Sequence, residues 1–234
     1  MTAFQVRKES VTPNIRHSDT WLALGLAFVG GYCDAASFVL ARTFTGHVTG
    51  NLVLGAIAVA AQDWRALLGP LSAIVTFLAG IVLSMLIGRT LKAAPSSTLL
   101  PAIMGIEVIL IVTASLAFAS GTAQRVEIFV ILLSFTLGLQ NGAFSRVGGI
   151  SVHTTYLTGM ITNLISTETE KYVSEVSTAP VAASDPKISV LFRIWGAFVL
   201  GAAAGAALVL HFKAVGMLGA ALVLLALILL RCTD

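Results

Sequence analysis

Hydrophobic runs punctuated by charged, prolyl or glycyl positions divide the chain into eight segments: A, 21–40; B, 47–61; C, 68–89; D, 99–120; E, 126–144; F, 155–166; G, 188–210; and H, 214–230. A helix rises about 1.5 Å per residue, so crossing a hydrocarbon core of about 30 Å takes about 20 apolar residues. Segments A, C, D, E and G meet that requirement. H is shorter, but its run AVGMLGAALVLLALILL is unbroken and framed by Lys213 and Arg231, whose stems can carry their charges to the two interfaces. It is expected to span.

B and F do not fit this pattern. B would make a helix of only about 22 Å. F is interrupted by Thr158, Gly159, Thr162 and Asn163 and runs into the acidic stretch STETEKYVSE. Apolar stretches of about 10–14 residues more often re-enter or lie at the interface than cross. The residues before each, ARTFTG and SVHTT, are β-branched and small polar types that favour extended backbone. The pattern therefore predicts an all-α polytopic membrane protein with six full transmembrane helices and two short re-entrant or broken segments.

The two short segments also resemble each other. With Gly31 placed on Gly138, GYCDAASF lies over GLQNGAFS, matching Asp34 with Asn141. After a two-residue gap TGHVTGN lies over TTYLTGM, matching Thr45 with Thr154, His47 with Tyr156, Thr49 with Thr158 and Gly50 with Gly159. The order A-B-C-D then parallels E-F-G-H, which predicts a duplicated unit: repeat 1 at about 20–120 and repeat 2 at about 126–231, after a polar tail over 1–19.

Charge placement bears on orientation. With B and F re-entrant and the N-terminus cytoplasmic, the inner side holds Arg7, Lys8, Arg16, Arg89, Lys92, Arg146, Lys171, Lys187, Arg193 and Arg231. The outer side holds Arg42, Arg65, Arg125 and Lys213, a ratio of ten to four. Basic residues accumulate on the cytoplasmic side, so the N-terminus is expected there. Each repeat then contains three crossings, and an odd number makes the second enter from the opposite face.

Composition agrees. The chain is 57% hydrophobic and 11% charged, with a mean hydropathy of +0.94, against roughly a quarter charged in soluble domains. Lipid must form part of its solvent. The net charge of +3 is spread singly between apolar runs, which argues against nucleic-acid binding. Two cysteines, Cys33 in an apolar run and Cys232 near the end, support neither a disulfide framework nor a metal site. No nucleophile–base set, cofactor motif or HExxH is present, so an enzyme is not expected.

GYCDAASFV, TGHVTGN, GLQNGAFSR and TTYLTGMITNL, in this order and spacing, resemble the YoaK-type family of bacterial inner-membrane proteins, a family of unknown function. The resemblance extends from about residue 20 to 230. It implies a polytopic inner-membrane protein of about six spans and brings no substrate, cofactor or catalytic residue.

The candidate site comes from the residues themselves. Inverted repeats with one broken helix each are a recurring plan of secondary transporters. Non-helical backbone at depth survives only inside protein or beside a wet cavity. Thr45, Thr49, Thr154, Thr155 and Thr158 can bond freed backbone groups, while Gly46, Gly50 and Gly159 permit turns. If B and F begin as helices near 48–50 and 157–159, two amide-bearing ends would face a polar or anionic solute; Asn51, Asn141 and Asn163 are further candidate liners, and His47 a group titrating near neutrality. The rival reading makes the Thr/Gly positions caps and helix-packing contacts. Asp34 and Glu107, acids inside spans, are candidates for proton or ion coupling, or for local bonding. Two functions stay open: a small transporter or permease, and a non-transporting sensor, scaffold or assembly protein. The bilayer is the certain partner, and homo-oligomerisation is compatible with six spans.

Overall fold

The computed structural model describes residues 17–90, 96–122, 124–143, 146–147, 150–151, 162, 165–166, 169 and 186–232. Helices α1 (His17–Ala41), α2 (Val48–Ala60), α3 (Trp64–Thr90), α4 (Ser96–Ala119) and α5 (Arg125–Ala143) are followed by a short antiparallel ladder. In it β1 (Arg146–Val147) pairs with β2 (Ile150–Ser151). Helix α6 (Pro186–Phe212), a 3-10 turn (Lys213–Met217) and helix α7 (Leu218–Cys232) complete the order.

Among the described residues, five stretches are long and apolar enough to cross a membrane: Thr20–Ala41, Trp64–Thr90, Leu100–Ala119, Arg125–Ala143 and Ser189–Arg231. The first four correspond to segments A, C, D and E. The fifth contains both G and H, so this measure yields five crossings against the six expected. It is not one rod, because Lys213 takes a left-handed φ of 51° and Gly216 folds back onto the backbone of Leu208. At 13 residues, α2 falls below the length of a crossing helix.

Close glycine contacts fix the helix directions. Phe28 and Tyr32 of α1 meet Gly201 and Gly205 of α6 in ascending order, so these two helices run parallel. Phe77 and Gly80 of α3 likewise meet Gly138 and Leu139 of α5, with Ser84 against Gly142. Helix α7 runs the other way along α1: Tyr32 lies on Gly219, and Gly25 lies on Leu227. The Tyr32 hydroxyl donates to the Gly216 carbonyl, Ser115 Oγ of α4 donates to Ala214 O at 2.7 Å, and Gln140 Nε2 of α5 donates to Leu26 O at 3.1 Å. Phe118 of α4 packs edge-on against Phe129 of α5 at 5.0 Å between ring centres.

The two parallel crossings use one device. Phe-x-x-Gly occurs at 28–31, 77–80, 135–138 and 198–201. In each pair, the glycine of one helix sits on the phenylalanine carbonyl of the other, reciprocally: Gly31 on Phe198, Gly201 on Phe28, Gly138 on Phe77 and Gly80 on Phe135. A Cβ at any of the four would overlap that carbonyl oxygen. Without side chains in the way the backbones approach closely, which is how helices associate where lipid removes the hydrophobic drive. Around these crossings lies a buried core including Leu26, Val29, Tyr32, Cys33, Met104, Ile111, Leu133 and Leu224. Leu71, Val75, Leu78 and Val82 of α3 face outward, each at least half exposed, as befits a surface solvated by acyl chains.

Gly31→Val or Gly138→Val should force a crossing apart and cost at least about 1–3 kcal/mol, read as a fall in Tm of the purified chain. Gly88→Ala, with nothing within 4 Å of the added atom, should leave Tm unchanged or raise it slightly. Equal effects at Gly31 and Gly88 would contradict the crossing.

Candidate functional site

Helix α1 ends because Arg42 adopts a left-handed φ of 56°, its amide still donating to Phe38 O at 3.0 Å. The chain then turns back along α1. Asp34 lies seven residues before α1's last residue, about 10 Å along the axis, and it is there that the returning loop is tied. One carboxylate oxygen, Oδ1, accepts from the amides of Thr45 at 2.9 Å and Gly46 at 2.6 Å and from the Thr45 hydroxyl at 3.1 Å. Oδ2 bonds His47 Nδ1 at 2.5 Å. Asp34 is 3% exposed.

Two more side chains complete the tie. Ser37 Oγ, one turn along α1, donates to Thr43 O at 2.8 Å. Asn51, buried in the first turns of α2, brackets Phe44: its Oδ1 accepts from Phe44 N at 3.0 Å, and its Nδ2 donates to Phe44 O at 2.7 Å. The loop backbone thus obtains from side chains the hydrogen bonds that lipid cannot supply.

Helix α2 starts from inside the protein and runs outward. His47 caps it without a side-chain bond, while Asn51 N reaches His47 O at 3.0 Å. It closes with a Schellman turn in which Gln62 N bonds Val59 O at 3.0 Å and Asp63 N bonds Ala58 O at 2.9 Å, with Gln62 at φ 56°. Asp63 Oδ1 then accepts from Ala66 N at 3.0 Å, capping α3. Gly69 of α3 stands against the Thr43 hydroxyl, so α3 begins beside the loop where α1 stopped. The loop that opens residues 42–60 therefore lies beside the first turns of the helix that follows them.

The magnitudes explain why an aspartate is tolerated here. An acid at the centre of a crossing helix costs about 2.5–3.5 kcal/mol on insertion scales, whereas a hydrogen bond to a charged group contributes about 1.5–3 kcal/mol. Four such bonds offset the cost. The His47 ring, 34% exposed, packs on Phe44 and, across the crossing, on Phe198 of α6 at 5.8 Å.

The structure brings Asp34, Thr45, Gly46, His47 and Asn51 into one hydrogen-bonded unit. Thr49 is exposed on the first turn of α2, and Gly50 lies against the Phe44 ring. Asn141 sits near the end of α5, half-buried. Glu107 is apart from the loop: it is fully buried in α4, and neither of its carboxyl oxygens has a hydrogen-bond partner. Thr154, Thr155, Thr158, Gly159 and Asn163 lie outside the described residues. Sequence reasoning missed Ser37, Phe44 and Phe198. Ser37 was accessible, since its spacing of three from Asp34 puts both on one face of a helix; Phe44 and Phe198 owe their roles to tertiary contacts.

Residues 22–230 match the family model described as Protein of unknown function (DUF1275). The chain belongs to that family. It is 28% identical over 151 residues to the UPF0700 transmembrane protein YoaK of Bacillus subtilis (strain 168). That stretch covers 64% of this chain and 66% of the relative, just under two thirds of its length. No solved structure matches. The transmembrane relative and the apolar helices together support a multi-pass membrane protein, and the YoaK-type resemblance is borne out.

Asp34→Ala should leave the Thr45 and Gly46 amides without an acceptor and cost about 2–4 kcal/mol, whereas Glu107→Gln, which breaks no hydrogen bond, should change Tm far less. A larger loss at Glu107 would contradict this ranking.

Proposed function

We propose that this chain is a small membrane transporter of the bacterial inner membrane, moving a polar or anionic solute past the inner tip of α2. The observation that carries this reading is the buried, non-helical stretch Thr43–His47, from which a short helix runs back outward. Irregular backbone at depth belongs beside protein or a wet cavity, and short helices that stop at a repeat interface are how secondary transporters build their sites.

Further features support two inverted repeats with six crossings. Helices α1 and α6 share one direction with α7 opposite to them, and α3 and α5 run together, which fits six passes if the bend at Lys213–Met217 returns the chain. The reciprocal Phe-x-x-Gly crossings pair α1 with α6 and α3 with α5, as expected if A corresponds to E and C to G. The Gly31–Gly138 equivalence drawn from the alignment also makes equivalent contacts here. The ten-to-four distribution of basic residues supports a cytoplasmic N-terminus.

The geometry refines the solute site. Asp34 already occupies the amides of Thr45 and Gly46, so a solute is left the first-turn amides of α2 at residues 48–50 and the Thr49 hydroxyl. Glu107 is suited to coupling, because an interior carboxyl without a partner needs a proton or a cation whenever it would otherwise bear charge. A scaffold role is the second reading. It is favoured by the completeness with which Asp34, Ser37 and Asn51 satisfy the loop, which explains those residues without a solute.

A membrane-impermeant maleimide applied to Gly50→Cys and Gly159→Cys in proteoliposomes separates the readings. Reaction at both positions, at rates near that of an Asp63→Cys control in the exposed turn, is expected of a hydrated site. Two silent positions beside a reactive control would overturn it. Thr49→Val should abolish solute uptake without lowering membrane yield.

A further inference from the structure

A second site lies at the opposite end of α2 from the Asp34 loop. A cavity of about 360 Å³ opens between the end of α1, the outer half of α2 and the first turns of α3 and α5. That is within the range of about 300–1,000 Å³ typical of small-molecule pockets. Its apolar walls include Leu54 and Ile57 of α2, Leu68 of α3 and Val130 of α5. Around it stand four charged side chains: Arg42, Asp63, Arg65 and Glu127.

These four do not neutralise one another. Among the described residues the ion pair present is His47–Asp34, so neither arginine has a carboxylate within 4 Å. The Arg42 guanidinium lies over the Phe38 ring at 5.9 Å, which positions it and leaves its N–H groups available. Asp63 uses Oδ1 to cap α3, leaving Oδ2. Glu127 stands in the first turn of α5. Two guanidinia and two carboxylates thus share a cavity whose net charge is zero.

Charge and position together select the occupant. A simple anion would satisfy the arginines and leave two carboxylates facing it; a simple cation would do the reverse. A zwitterion satisfies both. The cavity lies where α1 ends and α3 and α5 begin, the depth at which headgroups meet helix ends, and its walls continue onto lipid-facing surface through Ile57 and Leu68, 59% and 55% exposed.

We infer that this cavity holds the headgroup of a zwitterionic phospholipid of the phosphoethanolamine type. The phosphate sits on Arg42 and Arg65, the planar donor forks suited to phosphate oxygens. The primary ammonium, which has three N–H donors, lies towards Asp63 and Glu127, and the acyl chains leave over the outer faces of α2 and α3. A choline headgroup has no such donors, and a glycerol headgroup has no cation. The bound lipid braces the outer end of the re-entrant helix, and this holds whether or not the inner end handles a solute.

The test is thermal unfolding of the delipidated full chain in detergent with added dioleoyl phosphatidylethanolamine, phosphatidylcholine or phosphatidylglycerol, or with soluble phosphoethanolamine. A ligand that binds only the folded state raises Tm. Phosphatidylethanolamine should raise it by several degrees and the other two lipids by less than half as much. Soluble phosphoethanolamine at equal concentration should leave it unchanged. Arg65→Gln and Glu127→Gln, both at exposed positions, should each at least halve the increment while the lipid-free Tm stays put. Equal increments for all three lipids, full increments in both variants, or an equal effect of soluble phosphoethanolamine would each overturn the proposal. Should either variant fail to purify, native mass spectrometry of the unmodified chain from mixed-lipid nanodiscs decides: preferential retention of phosphatidylethanolamine over phosphatidylcholine supports the site, and equal retention refutes it.

Discussion

The Asp34 carboxylate is what allows the chain to leave helical geometry inside its own membrane domain. The loop after α1 would otherwise bury unpaired amides in the protein interior, where each costs several kcal/mol. One buried acid answers two amides, a hydroxyl and an imidazole, and the loop in turn makes the buried charge tolerable. Neither would be stable alone. That mutual dependence fixes where α2 starts and hence the depth its first turn reaches.

The loop also needs a rigid frame, which the glycine crossings provide. Carbonyl-to-glycine contacts hold α1 on α6 and α3 on α5. His47 is packed against Phe198, one of the residues making that crossing. The tether and the frame are therefore in contact. A change in the charge of the Asp34–His47 pair would be felt directly at the α1–α6 crossing, whereas Glu107, buried in α4 without a bond to the loop, belongs to a different part of the interior. Asp34 and Glu107 differ in kind: one is fully engaged in hydrogen bonds, and neither carboxyl oxygen of the other has a hydrogen-bond partner.

The two ends of α2 have contrasting chemistry. The inner end is built from amides, hydroxyls and one engaged carboxylate. The outer end is lined by apolar side chains and four charged groups that do not pair, suited to an amphiphile. The exposed apolar side chains of α2, among them Leu52 and Val53, are consistent with acyl chains along its length.

Much of this was legible in the residues, for an identifiable physical reason. Crossing length is set by bilayer thickness, so counting apolar residues located α1, α3, α4 and α5 to within a few positions and singled out α2 as too short. Asp34, Thr45, Gly46, His47 and Asn51 stood out because polar groups in an apolar run must find partners. Which partner each takes depends on three-dimensional approach, and composition does not encode it: that Asp34 would consume the loop amides, that Asn51 would bracket Phe44, and that Arg42 and Arg65 would share a cavity with Asp63 and Glu127 came only from folding. The Phe-x-x-Gly units were visible as letters, yet their meaning lies in a carbonyl on another helix. Sequence by itself determined that this chain lives in lipid and where it is too polar to be ordinary helix, because those are one-dimensional sums over residues. The tertiary structure alone decided which groups satisfy one another, because hydrogen bonds and backbone approach are matters of distance between segments far apart in the chain.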